Sequence, residues 1–159
     1  MGSRSRLGFA LICIALALGL YFGRDGLLRK PAPAFSLPEV YGGQVDLDSY
    51  RGHPVLLVFW TTSCPICQRE LPMLSQLEGE FRNHGVDILA VNLEGESQAA
   101  SFLDSKRVNL TCTYDSAGEV ARAYGVGGVP KLVLVGEDGK IKRSRTGWTG
   151  ESVLRDWID

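Results

Sequence analysis

Residues 54–60, Pro-Val-Leu-Leu-Val-Phe-Trp, form an unbroken apolar run, and residues 86–93, Val-Asp-Ile-Leu-Ala-Val-Asn-Leu, form a second strand-like segment, apolar except at Asp87 and Asn92. A strand with one face in water alternates apolar and polar residues. A valine-rich run without alternation needs cover on both faces. Between the two runs, from Pro65 to about Asn83, the pattern turns helical, with Ile66, Leu71, Leu74, Leu77 and Phe81 near one stripe. Buried strand, helix, buried strand is a βαβ unit, which implies two parallel neighbours in one sheet joined by a crossover helix.

The other segments extend this frame. Val40 to Leu47 sets a Gly-Gly pair between short apolar runs and reads as a hairpin. Ser97 to Lys106 reads as a helix with Ser97 as its N-cap. Leu110 to Asp115 is a short strand, and Ala117 to Gly125 is a helix stopped at its glycine. Lys131 to Arg145 is a hairpin turning at Asp138-Gly139. The segment from Gly150 is an amphipathic helix with Val153, Leu154, Trp157 and Ile158 inward. Together they predict an α/β layer with a central mixed sheet. Neither an internal repeat nor a low-complexity segment is present.

Leu7 to Gly23 is a separate object of 17 residues without a charge. As a helix at ~1.5 Å per residue it spans ~25 Å, the short end of a membrane crossing. Residues 1–6 then form a cytoplasmic tail, 7–23 an uncleaved single-pass anchor in the lipid bilayer, 24–33 a linker stiffened by Pro31 and Pro33, and 34–159 the domain. The competing reading is a signal peptide cleaved after Ala15-Leu16-Ala17, against which the apolar residues through Phe22 count. Cys13 is read as lipid-facing. Basic residues flank the run about equally, so the positive-inside count is nearly balanced. A short basic tail before an apolar run still marks export. The domain is expected outside the inner membrane, in the periplasm or extracytoplasmic space, where disulfides persist. The net charge of −1 gives no reason to expect nucleic acid.

The four cysteines are Cys13, Cys64, Cys67 and Cys112, too few and too uneven for a disulfide scaffold. Cys64 and Cys67 stand where a buried strand ends and a helix begins. Pro65 suits the first helical position, which makes Cys64 the N-cap. A thiolate there would lie against unpaired backbone N–H groups and the positive end of the helix dipole. Cys67, about one turn on, can bridge to it. A closed zinc site wants four ligands, and His53 and His84 lack ligand spacing, so no metal is expected. An inert bridge over so short a loop would constrain the unfolded chain little. Redox exchange explains the position better. Cys112 reads as a buried free thiol.

The segments Phe59-Trp-Thr-Thr-Ser-Cys-Pro-Ile-Cys-Gln-Arg-Glu-Leu-Pro72 and Tyr124-Gly-Val-Gly-Gly-Val-Pro-Lys-Leu-Val-Leu-Val135 resemble the thioredoxin fold. With Pro31 to Trp60 added, the chain resembles the extracytoplasmic thioredoxin-like proteins of the TlpA/ResA/DsbE type. The resemblance implies that Cys64 attacks and Cys67 resolves. It implies a cis peptide bond before Pro130 and a Val129 backbone that pairs with substrate by strand addition. Trp60 would pack near the active site or simply in the core. Glu70, one turn beyond Cys67, would exchange a proton with it, or else sit solvated. Pro72 should kink the helix near Gln68. The cofactor is the Cys64–Cys67 disulfide and nothing else. The implied partners are exported proteins with disulfides or thiols, apocytochrome c among them, and a membrane electron donor of the DsbD/CcdA type.

The chain also departs from thioredoxin. Val58 stands where thioredoxin keeps a buried acid on this strand, and Ser63 precedes the first cysteine in place of tryptophan. Pro65-Ile66 adds no histidine, which argues mildly against a strong oxidant. Lys131 reads as a solvated strand end, or as an attractor of acidic substrates. Two other functions compete with this one. Thr61-x-x-Cys64 fits half of the peroxidatic pattern Pro-x-x-x-Thr-x-x-Cys of peroxiredoxin-related thiol peroxidases, with Leu57 where its proline belongs. A copper-handling module would use the two thiolates as soft ligands, but lacks a third.

Overall fold

The computed structural model describes residues 29–158. The tail, the anchor at 7–23, Cys13 and the start of the linker lie outside them. Among the described residues no helix is long and apolar enough to cross a membrane.

The elements follow in order as β1 (Ser36–Pro38), β2 (Gln44–Asp46), a 3-10 turn (Leu47–Tyr50), β3 (Val55–Trp60), α1 (Pro65–Asn83), β4 (Asp87–Asn92), α2 (Glu96–Lys106), β5 (Thr111–Tyr114), α3 (Glu119–Ala123), β6 (Lys131–Val135), β7 (Ile141–Thr146) and α4 (Glu151–Ile158). The main sheet runs β5-β4-β3-β6-β7. β3, β4 and β5 are parallel, while β6 and β7 join antiparallel, so the sheet is mixed as expected.

β3 lies at the centre, and all six of its residues are buried. Its alternation serves two cores. Leu56, Val58 and Trp60 face α1, α2 and α4, while Val55, Leu57 and Phe59 face α3 and the β1–β2 hairpin. At roughly 1.5–3 kcal/mol for each large apolar side chain removed from water, this strand is the main fastening between the layers.

The hairpin turns at Gly42 and Gly43, whose φ values of +99° and +98° suit residues without a Cβ. It is stitched to β5 by the Val40 N–H, which donates to the Cys112 carbonyl at 2.8 Å. Pro31, Ala32 and Pro33, read as the end of the linker, are bound to the domain. Pro31 pairs with Lys140, the Ala32 N–H donates to the Gly139 carbonyl, and the Pro33 carbonyl accepts from the Tyr124 hydroxyl.

Two local expectations change. Ile66 is exposed, and the inward stripe of α1 runs instead through Cys67, Glu70, Leu71, Leu74, Leu77 and Phe81. The cap of α2 lies two residues earlier than expected: Gly95, not Ser97, is its N-cap. The cause is Asn92, whose side-chain oxygen accepts from the Glu94 and Gly95 N–H groups and closes the chain into the helix.

Candidate active site

β3 delivers the chain to the C-terminal edge of the sheet, where it turns through Thr61 to Ser63 and enters α1. Cys64 is the N-cap, with extended backbone, and Pro65 opens the helix. The Cys64 sulfur accepts the Cys67 N–H at 3.2 Å, which satisfies one of the unpaired donors of the first turn. It also lies 3.6 Å from the Val129 carbonyl, toward which its thiol points. The two sulfurs differ in access: Cys64 is half-buried, and Cys67 is fully buried. Burial, and then the hydrogen bond to the Cys64 sulfur, push the Cys67 thiol well above the ordinary cysteine range.

Val129 is half-buried and Pro130 buried, and the peptide bond between them is cis. Main-chain atoms of the Val129–Pro130 segment thus stand directly over the outer sulfur.

Glu70 is not solvated. It has no exposed surface, and its Oε1 accepts the Thr149 N–H at 2.8 Å. Oε2 has no hydrogen-bond partner among the described residues. Burial raises its carboxyl to about 7, against the opposing pull of the Thr149 N–H and the Arg145 charge. A buried acid therefore exists here, on the helix rather than at Val58.

Trp60 has no exposed surface and packs at a tilt against Phe102, with 5.0 Å between ring centroids. It supports the site from the core without reaching the surface. Lys131 is not a free strand end: its Nζ donates to the Tyr124 and Gly125 carbonyls at 2.9 Å each and closes the end of α3. Cys112 lies on β5 with its side chain buried in the core, and burial pushes its thiol up to about 12, which suits an inert core residue.

Sequence reasoning missed the groups that hold the turn. Glu94 accepts from both the backbone and the hydroxyl of Thr62. The Gln68 side chain donates to the Thr62 carbonyl at 2.8 Å. An asparagine closing a buried strand ahead of Glu-Gly is a turn signal that could have revealed the loop. The grip on Thr62 is long-range and leaves no local pattern. Trp148 is exposed beside the site, with the Arg69 guanidinium 5.1 Å from its ring centroid. No cluster suited to a metal ion occurs among the described residues.

The AhpC/TSA family model matches residues 28–144. The chain is similar to the thiol-disulfide oxidoreductase ResA of Halalkalibacterium halodurans, with 33% identity over 94% of this chain and 89% of that protein. It is similar to ResA of Bacillus subtilis as well, with 32% identity over 97% and 90%. Among solved structures it is similar to one from Chlorobium tepidum, assigned to the thiol:disulfide interchange protein DsbE. The TM-score is 0.76 at 29% identity, covering 82% of this chain and 94% of that one.

Proposed function

The chain belongs to the AhpC/TSA family and is a thiol–disulfide oxidoreductase of the ResA/DsbE type, and on that premise we propose that it is held in the inner membrane by residues 7–23 and reduces disulfides of exported proteins outside the cytoplasm. Cysteines of an apocytochrome c are the first candidate substrate.

The single observation that carries this reading is the unequal placement of the two sulfurs. Cys64 has access to a partner and a backbone N–H aimed at its sulfur. As the thiolate it attacks one sulfur of the substrate disulfide. A mixed disulfide forms, and the first substrate thiolate leaves and takes up a proton. Cys67, shielded from solvent, is reserved for the second step. It attacks the Cys64 sulfur, the second substrate thiolate leaves, and the enzyme is left with a Cys64–Cys67 disulfide. Two electrons have passed to the substrate. A membrane donor of the DsbD/CcdA type returns the pair to the dithiol.

The resolving step needs a base, because burial disfavours the Cys67 thiolate. Glu70, buried one turn away and raised to about 7, can hold the proton near neutral pH. The Val129 main chain would pair with an extended substrate segment and lay it across Cys64. Pro130, joined to Val129 by a cis bond, would shape the same backbone, and Trp60 packs in the core.

Cys64→Ala should abolish turnover of a disulfide substrate. Cys67→Ala should accumulate mixed disulfides, visible as adducts on non-reducing gels and lost on reduction. Normal turnover by Cys67→Ala would exclude this mechanism.

A further inference from the structure

We propose that Glu94 is a positioning residue for Cys64, gripping the turn that presents its sulfur; the role rests on Cys64 being the attacking thiol. Both oxygens of the Glu94 carboxyl hydrogen-bond to Thr62. Oε2 accepts the Thr62 N–H at 2.7 Å, and Oε1 accepts the Thr62 hydroxyl at 2.9 Å. Thr62 lies two positions before Cys64, in the middle of the turn from β3 into α1.

The grip is applied from a rigid support. Asn92 ends β4 in register with Trp60 at the end of β3, and it is fully buried. Its Oδ1 accepts the Glu94 N–H at 2.8 Å, and its Nδ2 donates to Glu94 Oε2 at 3.3 Å. The Leu93 N–H donates to the Trp60 carbonyl at 3.0 Å. The loop carrying Glu94 is thus fixed to the same two strand ends from which the Cys64 turn departs.

Apart from Glu94, the Gln68 side chain is the other side-chain support of Thr62. The turn's own contacts are long: the Cys64 N–H to the Thr61 carbonyl at 3.4 Å, and the Thr61 and Ser63 hydroxyls at 3.5 Å. Bonds of 2.7–2.9 Å to a carboxyl are the stronger kind. From Thr62 the order passes on, because its carbonyl accepts the Gln68 side chain at 2.8 Å while the Gln68 N–H caps the Cys64 carbonyl at 3.0 Å. Releasing Glu94 would loosen the turn from Thr61 to Ser63 and disorder the alignment of the Cys64 sulfur with the Cys67 N–H.

The test is the rate of iodoacetamide alkylation at Cys64, followed by peptide mapping of the reduced full chain in detergent at pH 7. Cys112, buried, reports in the same sample whether the fold is intact. Glu94→Ala should slow Cys64 about tenfold, since the thiolate is the species alkylated and losing an N–H bond to it worth ~1.4 kcal/mol is a factor of about ten. Glu94→Gln should restore the rate to within about twofold, because an amide can accept from the Thr62 N–H and donate to its hydroxyl. Thr62→Val, which removes one of the two bonds, should slow it about threefold, half of the tenfold loss on a free-energy scale.

A wild-type rate in Glu94→Ala would overturn the proposal. So would Glu94→Gln as slow as Glu94→Ala, which would assign the effect to charge rather than to the grip. Where Glu94→Ala exposes Cys112 to the reagent, Thr62→Val decides, and an unchanged rate there overturns the proposal. Wild-type Cys64 reacting no faster than Cys112 in denaturant would remove the nucleophile itself, and Glu94's role with it.

Discussion

Glu70 is a carboxyl with no exposed surface, one backbone donor and an empty Oε2, and its protonation is therefore coupled to folding. In the folded protein it is raised to about 7, against an ordinary value of 4.5. Between these two values the native state binds more protons than the unfolded state. Stability from this residue is therefore full below about 4.5 and falls as pH rises toward 7. Glu70→Gln keeps an acceptor for the Thr149 N–H and removes the charge. It should unfold at higher urea concentration than wild type at pH 8, by up to about 3 kcal/mol, and match it near pH 4. A difference that stayed constant between pH 4 and 8 would contradict the assignment of this acid as buried and strained. The same substitution should slow the resolving step, seen as longer-lived mixed disulfides. Stability and catalysis pull in opposite directions at this position, which fits a group retained for proton transfer.

At the scale of elements, much of the fold was readable because each buried strand announces itself. β3 is a continuous apolar run, β4 is apolar between Asp87 and Asn92 at its two ends, and α1 begins at a Pro-marked cap and ends at Asn83, as the periodicity required. What could not be read depends on contacts across the fold. Ile66 belongs to the stripe by residue type, yet it is exposed while Cys67, its neighbour in the same first turn of α1, is fully buried. Glu70 is polar by type, yet it lies on the inward face. Its partner, the Thr149 N–H, comes from the far end of the chain. Lys131 is charged by type, yet it caps α3, a five-residue helix too short to hold its own end. Lys131→Met should leave the Tyr124 and Gly125 carbonyls without this donor. It should cost about 1–2 kcal/mol in urea unfolding, with no change in preference for acidic substrates. α4 depends on a single fully buried side chain, Leu154. Leu154→Ala should cost about 2–4 kcal/mol and loosen the loop that carries Thr149.

Over the whole molecule, the parallel topology brings the C-terminal ends of β3, β4 and β5 to one edge of the sheet. The turn bearing Cys64, the loop bearing Glu94 and the loop after β5 all leave from that edge. Open parallel sheets commonly bind their ligands outside these strand ends. The cysteine pair was legible because its chemistry is local, lying within one helical turn. Its supports were not, because they are assembled from separate crossovers. This arrangement bears on the direction of electron flow. A strongly oxidising pair is one whose reduced form is specially stabilised. Here only Pro65 and Ile66 lie between the cysteines, neither adds a charge, and burial disfavours ionisation of Cys67. The nearest buried acid, Glu70, opposes a negative charge on Cys67 further. The reduced pair therefore gains little from its surroundings, and its disulfide should be hard to reduce. Equilibration against a glutathione or dithiothreitol series should place the couple nearer ~−270 mV than ~−120 mV. The lower value fits a reductant fed from the membrane. The higher one would mean that the pair donates disulfides to exported chains, and the proposed direction would be reversed. The gap between the two corresponds to roughly 7 kcal/mol for a two-electron couple, at ~1.4 kcal/mol per 30 mV. No single contact described at the site is large enough to move the protein from one class to the other.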